Sequence, residues 1–389
     1  MITRDNIGEL AKFESPEGCA VSFYYQPEAP QNKSHREEAI LVKDLVKSTL
    51  REAEKAGRNG CARADMDRIL EVAERLHGNG GRAKAIFACA AMNFWREYDM
   101  PPRLNSTRLF VNRNFHLRPL TAIADVLPRF AIVLVDKSKA RFFLLSMDEL
   151  RETEGFVNKL PRRGRSDGFI GYDAGHAERH VENEAKRHYQ LVADHLREMK
   201  ERNEFDKVLF GIRDENLPEL EAELHPYVKP RVVGHFPIDP ATATPQQVRE
   251  HADRIIREYR ANRQEGLIRD VVGEAHRNGN GALGIRRVLR SLERGEVQRL
   301  LISTEFAASA AECRNCGHIG LRDEPTKCSV CGGDTRPMED VSDALLRLAV
   351  RNGIEIVHVP PREDFRSVGN VAALLRFRAD QNTVAKLAG

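Results

Sequence analysis

Short apolar runs of strand length recur along the chain between amphipathic stretches of helical period. That alternation predicts a layered α/β protein. The runs at 20–25, 84–90, 107–111, 131–135, 140–145, 207–211, 232–236, 297–303, 354–359 and 371–377 read as strands. The two at 131–135 and 140–145 are joined by the turn 136–139 and form a hairpin. Helices are expected over 35–56, 64–76, 217–224, 246–263, 284–292 and 341–351, and from His116, with Pro119 in the first turn. Ser34 and Glu37 stand three apart as a capping box for the first of these.

The longest amphipathic stretch runs from 176 to 199, with Val181, Ala185, His188, Val192, Leu196 and Met199 three and four residues apart. The segment before it, 160–175, carries Arg162, Arg163 and Arg165 among glycines and a proline, with almost nothing apolar. A basic, flexible loop feeding a long helix can project a tip from a folded body. Such a tip suits phosphate-backbone contact better than base reading. A plain disordered surface loop is the alternative.

At 389 residues the chain exceeds one ordinary domain. The α/β rhythm divides it into an N-terminal α/β domain (1–125), a central α/β domain (126–262) with a projecting loop at 160–176, and a C-terminal α/β/α domain (263–389). With 41% hydrophobic and 31% charged residues, the composition is globular. No apolar run approaches membrane-spanning length, and the N-terminus lacks an apolar leader, so a cytoplasmic protein without a membrane partner is expected. A net charge of +3 is too small to argue for nucleic acid by itself; the placement of the arginines matters more.

Seven cysteines make an odd set, and four of them cluster. Cys313-Arg-Asn-Cys316-Gly317 and Cys328-Ser-Val-Cys331-Gly332 are two knuckles separated by eleven residues. Each can aim two thiolates at one ion while its glycine turns the backbone back. Four thiolates make a closed tetrahedral Zn2+ site with no open position for catalysis, with an iron–sulfur cluster as the alternative. The pattern interrupts the α/β rhythm and reads as an inserted zinc ribbon over 309–337. Cys19, Cys61 and Cys89 read as small buried hydrophobes. His176 and His180, four apart, have a spacing that suits a metal but equally an exposed helix face. The glycines at 168, 171 and 175 match neither the dinucleotide nor the P-loop spacing.

The order of these pieces resembles the archaeo-eukaryotic class-I peptide release factors and Pelota, in their bacterial branch. The likeness rests on the segment 105–116 followed by the strand at 130–136, on Lys186-Arg-His188 in the long helix, on the run 284–303, on 352–378, and on the inserted ribbon. The resemblance implies a three-domain, tRNA-shaped protein that binds the ribosomal A site and its rRNA, expected as a monomer. It also implies a translational GTPase as a further partner, and a role in ribosome hibernation or rescue. In the family the loop carries a Gly-Gly-Gln tip for peptidyl-tRNA hydrolysis. Counting back from Lys186-Arg-His188, the equivalent positions hold Tyr172, Asp173 and Ala174, and no glutamine occurs between Arg151 and Tyr189. Arg162, Arg163, Arg165, Tyr172 and His176 are therefore the expected ribosome contacts. A peptidyl-tRNA hydrolase with a rebuilt loop is the alternative, with Asp173 or His176 as its candidate base. The stop-codon loop of the eukaryotic factors has no counterpart, since Asn32-Lys33-Ser34 lacks the isoleucine of Asn-Ile-Lys-Ser.

Overall fold

The computed structural model describes residues 2, 4–26, 35–55, 61–76, 83–100, 107–124, 128–146, 149–157, 173–321, 327–338 and 340–379. These fall into two compact units, 127–263 alone and 1–126 together with 264–389. The segments expected as first and last domains thus pack as one unit, although each keeps its own sheet.

The N-terminal part opens with helix α1 (Arg4–Lys12), strand β1 (Ala20–Tyr25), helices α2 (His35–Lys55) and α3 (Arg63–Leu76), and strands β2 (Ala83–Cys89), β3 (Phe94–Met100) and β4 (Arg108–Asn112), followed by α4 (Arg118–Ala124). The strands form an antiparallel sheet in the order β3-β2-β1-β4. Alternate side chains divide its faces. Val21, Phe23 and Tyr25 join Ile86 and Ala88 under Val42, Val46, Met66 and Ile69 of α2 and α3. Tyr24 and Phe87 lie in an aromatic cluster with Phe115, which stacks on Phe13 at 4.4 Å. Cys19 and Cys61 are joined as a disulfide with Cα atoms 5.9 Å apart, which corrects the expectation of separate buried thiols. Cys89 is a free, buried thiol as expected.

The central unit contains β5 (Phe130–Val135), β6 (Lys139–Ser146), β7 (Glu149–Val157), α5 (Asp173–Glu201), β8 (Lys207–Gly211), α6 (Leu217–Glu223), β9 (Val232–Phe236) and the start of α7 (Pro245–His276). The sheet runs β7-β6-β5-β8-β9, with β5, β8 and β9 parallel and β6 and β7 antiparallel. The expected hairpin is present: Asp136 Oδ1 accepts from the backbone N–H groups of Ser138 and Lys139, both at 2.7 Å. Ala131, Val133 and Val135 pack against α5 and α6, while Phe130, Ile132 and Leu134 face Val248, Ala252 and Ile256 of α7. Period-two alternation in a strand buried on both sides gives three layers. The sequence places the end of α7 and the start of the C-terminal domain near 263, but the helix runs unbroken through Gly266 to His276. One interior glycine costs only about 1 kcal/mol, and Arg269 pairs with Glu265 across that position.

The chain ends with β10 (Gly281–Leu283), α8 (Gly284–Glu293), β11 (Val297–Ser303), a small three-stranded sheet of β12 (Ala310–Cys313), β13 (Ile319–Leu321) and β14 (Thr335–Met338), then α9 (Ser342–Arg351), β15 (Glu355–Val359), α10 (Glu363–Arg366) and β16 (Val371–Leu375). The main sheet is ordered β10-β16-β11-β15, with β11 and β15 parallel. Leu300 and Ile302 face α8 and α9, and Leu301 faces Ile268 and Val271 of α7. The cysteine-bearing sheet is therefore an insertion into a parallel β11–α9–β15 crossover.

Residues 116–121 join the two halves of this unit. Asp343 Oδ1 accepts from Leu117 N at 2.7 Å and lies 3.3 Å from His116 Nδ1. The Arg118 guanidinium donates to the Thr304 carbonyl at 2.5 Å and to Ser342 Oγ at 3.2 Å. Thr121 Oγ1 donates to the Arg118 carbonyl, so it accepts from His358 Nε2 at 3.1 Å. That fixes the proton of His358 on Nε2 and leaves Nδ1 bare and buried. Burial, with the Arg118 charge adding to it, lowers the His358 pKa to about 4. The folded state then refuses a proton that the unfolded chain accepts below about 6.5. Stability from this residue is intact above pH 6.5 and declines as the pH falls toward 4, by about 3 kcal/mol across the window. Urea midpoints at pH 7 and pH 5 are expected to differ more for the wild type than for His358→Asn, which cannot titrate; equal differences count against this account.

Candidate functional site

The four cysteines of the knuckles are brought together. Cys313 Sγ lies 3.4 Å from Cys331 Sγ and Cys316 Sγ lies 3.6 Å from Cys328 Sγ. All four sulfurs fall within 4.8 Å of one another. A tetrahedron of thiolates about 2.3 Å from an ion has edges of about 3.8 Å, so the set fits one tetrahedral metal after a small expansion. Both knuckles have the same backbone. Gly317 N and Gly332 N donate to the Cys313 and Cys328 carbonyls, and both glycines have φ near +70°, where a side chain would be strained. The N–H groups of Asn315 and Cys316 point at Cys313 Sγ, and that of Val330 points at Cys328 Sγ. Led by the N–H of Cys316, and with that of Asn315, the donors on Cys313 lower its pKa to about 6 against desolvation, while at Cys316 a backbone bond at His318 is outweighed by the neighbouring sulfurs and burial, which raise its pKa to about 12. A preformed thiolate is the form that binds metal. Gly333 packs against the cluster: a Cβ there would come 3.3 Å from Cys331 Sγ and 3.4 Å from Cys313 Sγ. Glu293 braces the ribbon through His318 Nδ1 at 2.7 Å.

The projecting loop is the other expected site. Arg162, Arg163, Arg165 and Tyr172 lie outside the described residues. Asp173 and His176 fall on the first turns of α5, as does His180, where the backbone is described and the side chains are not. Further along, α5 presents two faces. Ala185, Tyr189, Val192, Leu196 and Met199 are buried in the core, while Lys186 and Arg187 are exposed and pair with Glu223 and Glu184. His188 is fully buried; burial lowers its pKa, against a backbone bond at Lys139 and the charge of Asp136. Helix α5 is therefore anchored through its second half.

Sequence reasoning missed a cleft of about 610 Å³ in the central unit, between the edge strand β9 and α7. Val233 and Ile255 supply apolar wall, Tyr259 an aromatic face, and Arg254, Glu258 and Arg263 the charged rim. Gly234 opens it, since a Cβ would meet Ile255 Cγ2 at 2.8 Å. These residues lie apart in sequence on one strand and one helix, so no local motif announces them.

The family described as bacterial archaeo-eukaryotic release factor family 10 matches residues 116–257, the junction segment and nearly all of the central unit. Peptide chain release factor subunit 1 of Archaeoglobus fulgidus is 23% identical over 286 residues, 68% of this chain and 70% of that protein. These matches support the release-factor and Pelota superfamily as the chain's relatives. Within that superfamily, a pelota homolog of Methanosarcina acetivorans is 30% identical over 129 residues, 32% of this chain and 30% of that protein. Among solved structures, a model of ribosome-bound archaeal Pelota and ABCE1 aligns over 97% of this chain and 94% of that one, at 14% identity and a TM-score of 0.43.

One buried group on α5 makes the anchoring testable. Tyr189 Oη is buried with no hydrogen-bond partner among the described residues, and burial, followed by the charges of Glu219 and Asp136, pushes its pKa well up. Removing an unsatisfied buried hydroxyl costs little and relieves its desolvation. Tyr189→Phe is expected to leave the urea midpoint unchanged or raise it by up to about 1 kcal/mol in stability; a clear loss would show a partner for this hydroxyl.

Proposed function

We propose that this protein is a ribosome-binding factor of release-factor shape that occupies the A site during hibernation or rescue and does not hydrolyse peptidyl-tRNA. The observation that carries this reading is the family match, taken with the position that the resemblance assigns to the tip. The release-factor family match covers the unit that bears the loop and its helix, and the position of the Gly-Gly-Gln tip holds Tyr172, Asp173 and Ala174. The affinity of such a tip for rRNA would come from Arg162, Arg163 and Arg165 on phosphates, with Tyr172 and His176 near the end of the probe. A translational GTPase is the expected second partner.

Binding is read by co-sedimentation with 70S ribosomes. For about six to ten phosphate contacts, affinity should fall by about 10³ or more between 50 and 200 mM salt. A protein that stays at the top of a low-salt gradient loses this reading. Release of labelled peptide from stalled complexes, abolished by Asp173→Ala with His176→Ala, would favour the hydrolase with a rebuilt loop.

The four knuckle cysteines are proposed to hold a structural Zn2+, which supplies a closed cross-link and no reactive position. It would stabilise a three-stranded sheet too small to bury a core. Metal analysis of gently purified protein should give about one zinc per chain, and Cys316→Ser with Cys331→Ser close to none. A visible absorption band with iron in place of zinc would assign the cluster to iron–sulfur chemistry.

A further inference from the structure

We propose that the Cys19–Cys61 link is a reversible thiol–disulfide switch. Cysteine occurs in two states in the one chain. Cys19 and Cys61 are joined. Cys313, Cys316, Cys328 and Cys331 are free thiols, although all four sulfurs lie within 4.8 Å of one another. A compartment that locks neighbouring cysteines as disulfides would close these as well, and their use as metal ligands requires the thiolate. Surroundings that keep the knuckles reduced are therefore surroundings in which the Cys19–Cys61 link can also open. This step rests on the zinc reading of the knuckles.

Both sulfurs sit on backbone that is fixed without the link. Cys19 is fully buried and follows a turn in which Gly18 N donates to the Ser15 carbonyl at 3.1 Å. Its own N–H donates to Ser15 Oγ at 3.0 Å. Cys61 stands just before α3, where Ala62 and Met66 lie in the core and Asp65 Oδ2 accepts from Ala90 N at 2.8 Å. Opening the link leaves the two thiols on these fixed segments, so closing it again is an intramolecular step at high effective concentration. The Glu17 carbonyl lies 3.5 Å from Cys19 Sγ and is placed to accept from its thiol once the link is open. Cys61 is the partly exposed member of the pair and is the one that meets reagents from solvent.

Closing takes hydrogen peroxide as oxidant. The Cys61 thiolate attacks one peroxide oxygen and the O–O bond breaks. Cys61 becomes a sulfenic acid, and the hydroxide leaves as water with the proton that Cys61 gave up. The Cys19 thiol then attacks that sulfur. The S–S bond forms, the S–O bond breaks, and the thiol proton leaves with the hydroxide as a second water. Opening takes a dithiol. Its thiolate attacks Cys61, Cys19 leaves and takes a proton, and the second thiol of the reagent displaces Cys61 from the mixed disulfide. The closed link spans a separation of 42 residues and encloses all of α2, so it ties the start of β1 to the start of α3. Opening it leaves Val42, Val46 and Ala53 of α2 held by packing alone.

The test takes the full chain, zinc-replete, through a series of glutathione buffers from oxidised to reduced. Samples are quenched in acid and labelled with a maleimide in denaturant and chelator. The count should pass from five thiols to all seven within the series, with the change mapped to Cys19 and Cys61, and hydrogen peroxide should return it to five. The thermal midpoint of the reduced form should be lower by about 5 °C or more. Cys61→Ser should show that lower midpoint in every buffer; if this variant does not fold, the titration of the unaltered chain decides alone. Five thiols throughout, or seven throughout, overturns the proposal. Zinc counted in the same samples separates the two readings: a pair that switches in a chain without zinc supports the switch and overturns the zinc reading. The exposed Glu17 carboxylate lies within 4.8 Å of both sulfurs. A second zinc per chain in the reduced form, lost in Glu17→Ala, would assign these three groups to a metal and overturn the switch.

Discussion

The larger unit depends on the grip of residues 116–121 on the C-terminal sheet. Arg118 reaches the Thr304 carbonyl and Ser342, and Asp343 accepts from the Leu117 N–H. These are charge-assisted bonds in a half-buried setting, where removing one partner strands the other. They join segments 186 to 226 residues apart in sequence, so the N-terminal and C-terminal parts pack as one unit. The same residues open the stretch that the release-factor family matches.

The elements that sequence periodicity locates best are those buried on two sides. Strands β5 and β8 are continuous apolar runs because helices cover both faces of their sheet. Strands β3 and β7 give no such signal because they sit at sheet edges, carry Glu, Arg and Asp, and expose much of their length. The N-terminal helix α1, only nine residues long, is too short to show a repeat. Gly266 resembles a helix boundary in sequence, yet its neighbours keep helical pairing across it and α7 continues. The Cys19–Cys61 link is invisible in sequence for a different reason: pairing of distant thiols is set by the sheet and helix that carry them, not by spacing.

The two expected sites differ in how local their determinants are. The knuckles are legible because two residues of spacing and one glycine suffice to point two sulfurs inward, and the structure brings all four within reach of one ion. The loop itself lies outside the described residues. Its helix α5 is anchored by Ala185, Tyr189, Val192 and Leu196, which the period of the sequence does specify. Nothing in that period specifies the residues that precede the helix. The cleft between β9 and α7 lies at the far end of this scale, since it exists only once strand and helix are packed.

The ribbon is tied to the C-terminal part at two places. Glu293, at the end of α8, accepts from His318 Nδ1 and from the Ile319 N–H. Ala310 and Ile319 join the core of the main sheet. A small insertion that borrows core from its host and a carboxylate from the preceding helix leaves its knuckles to order only the loops between its strands.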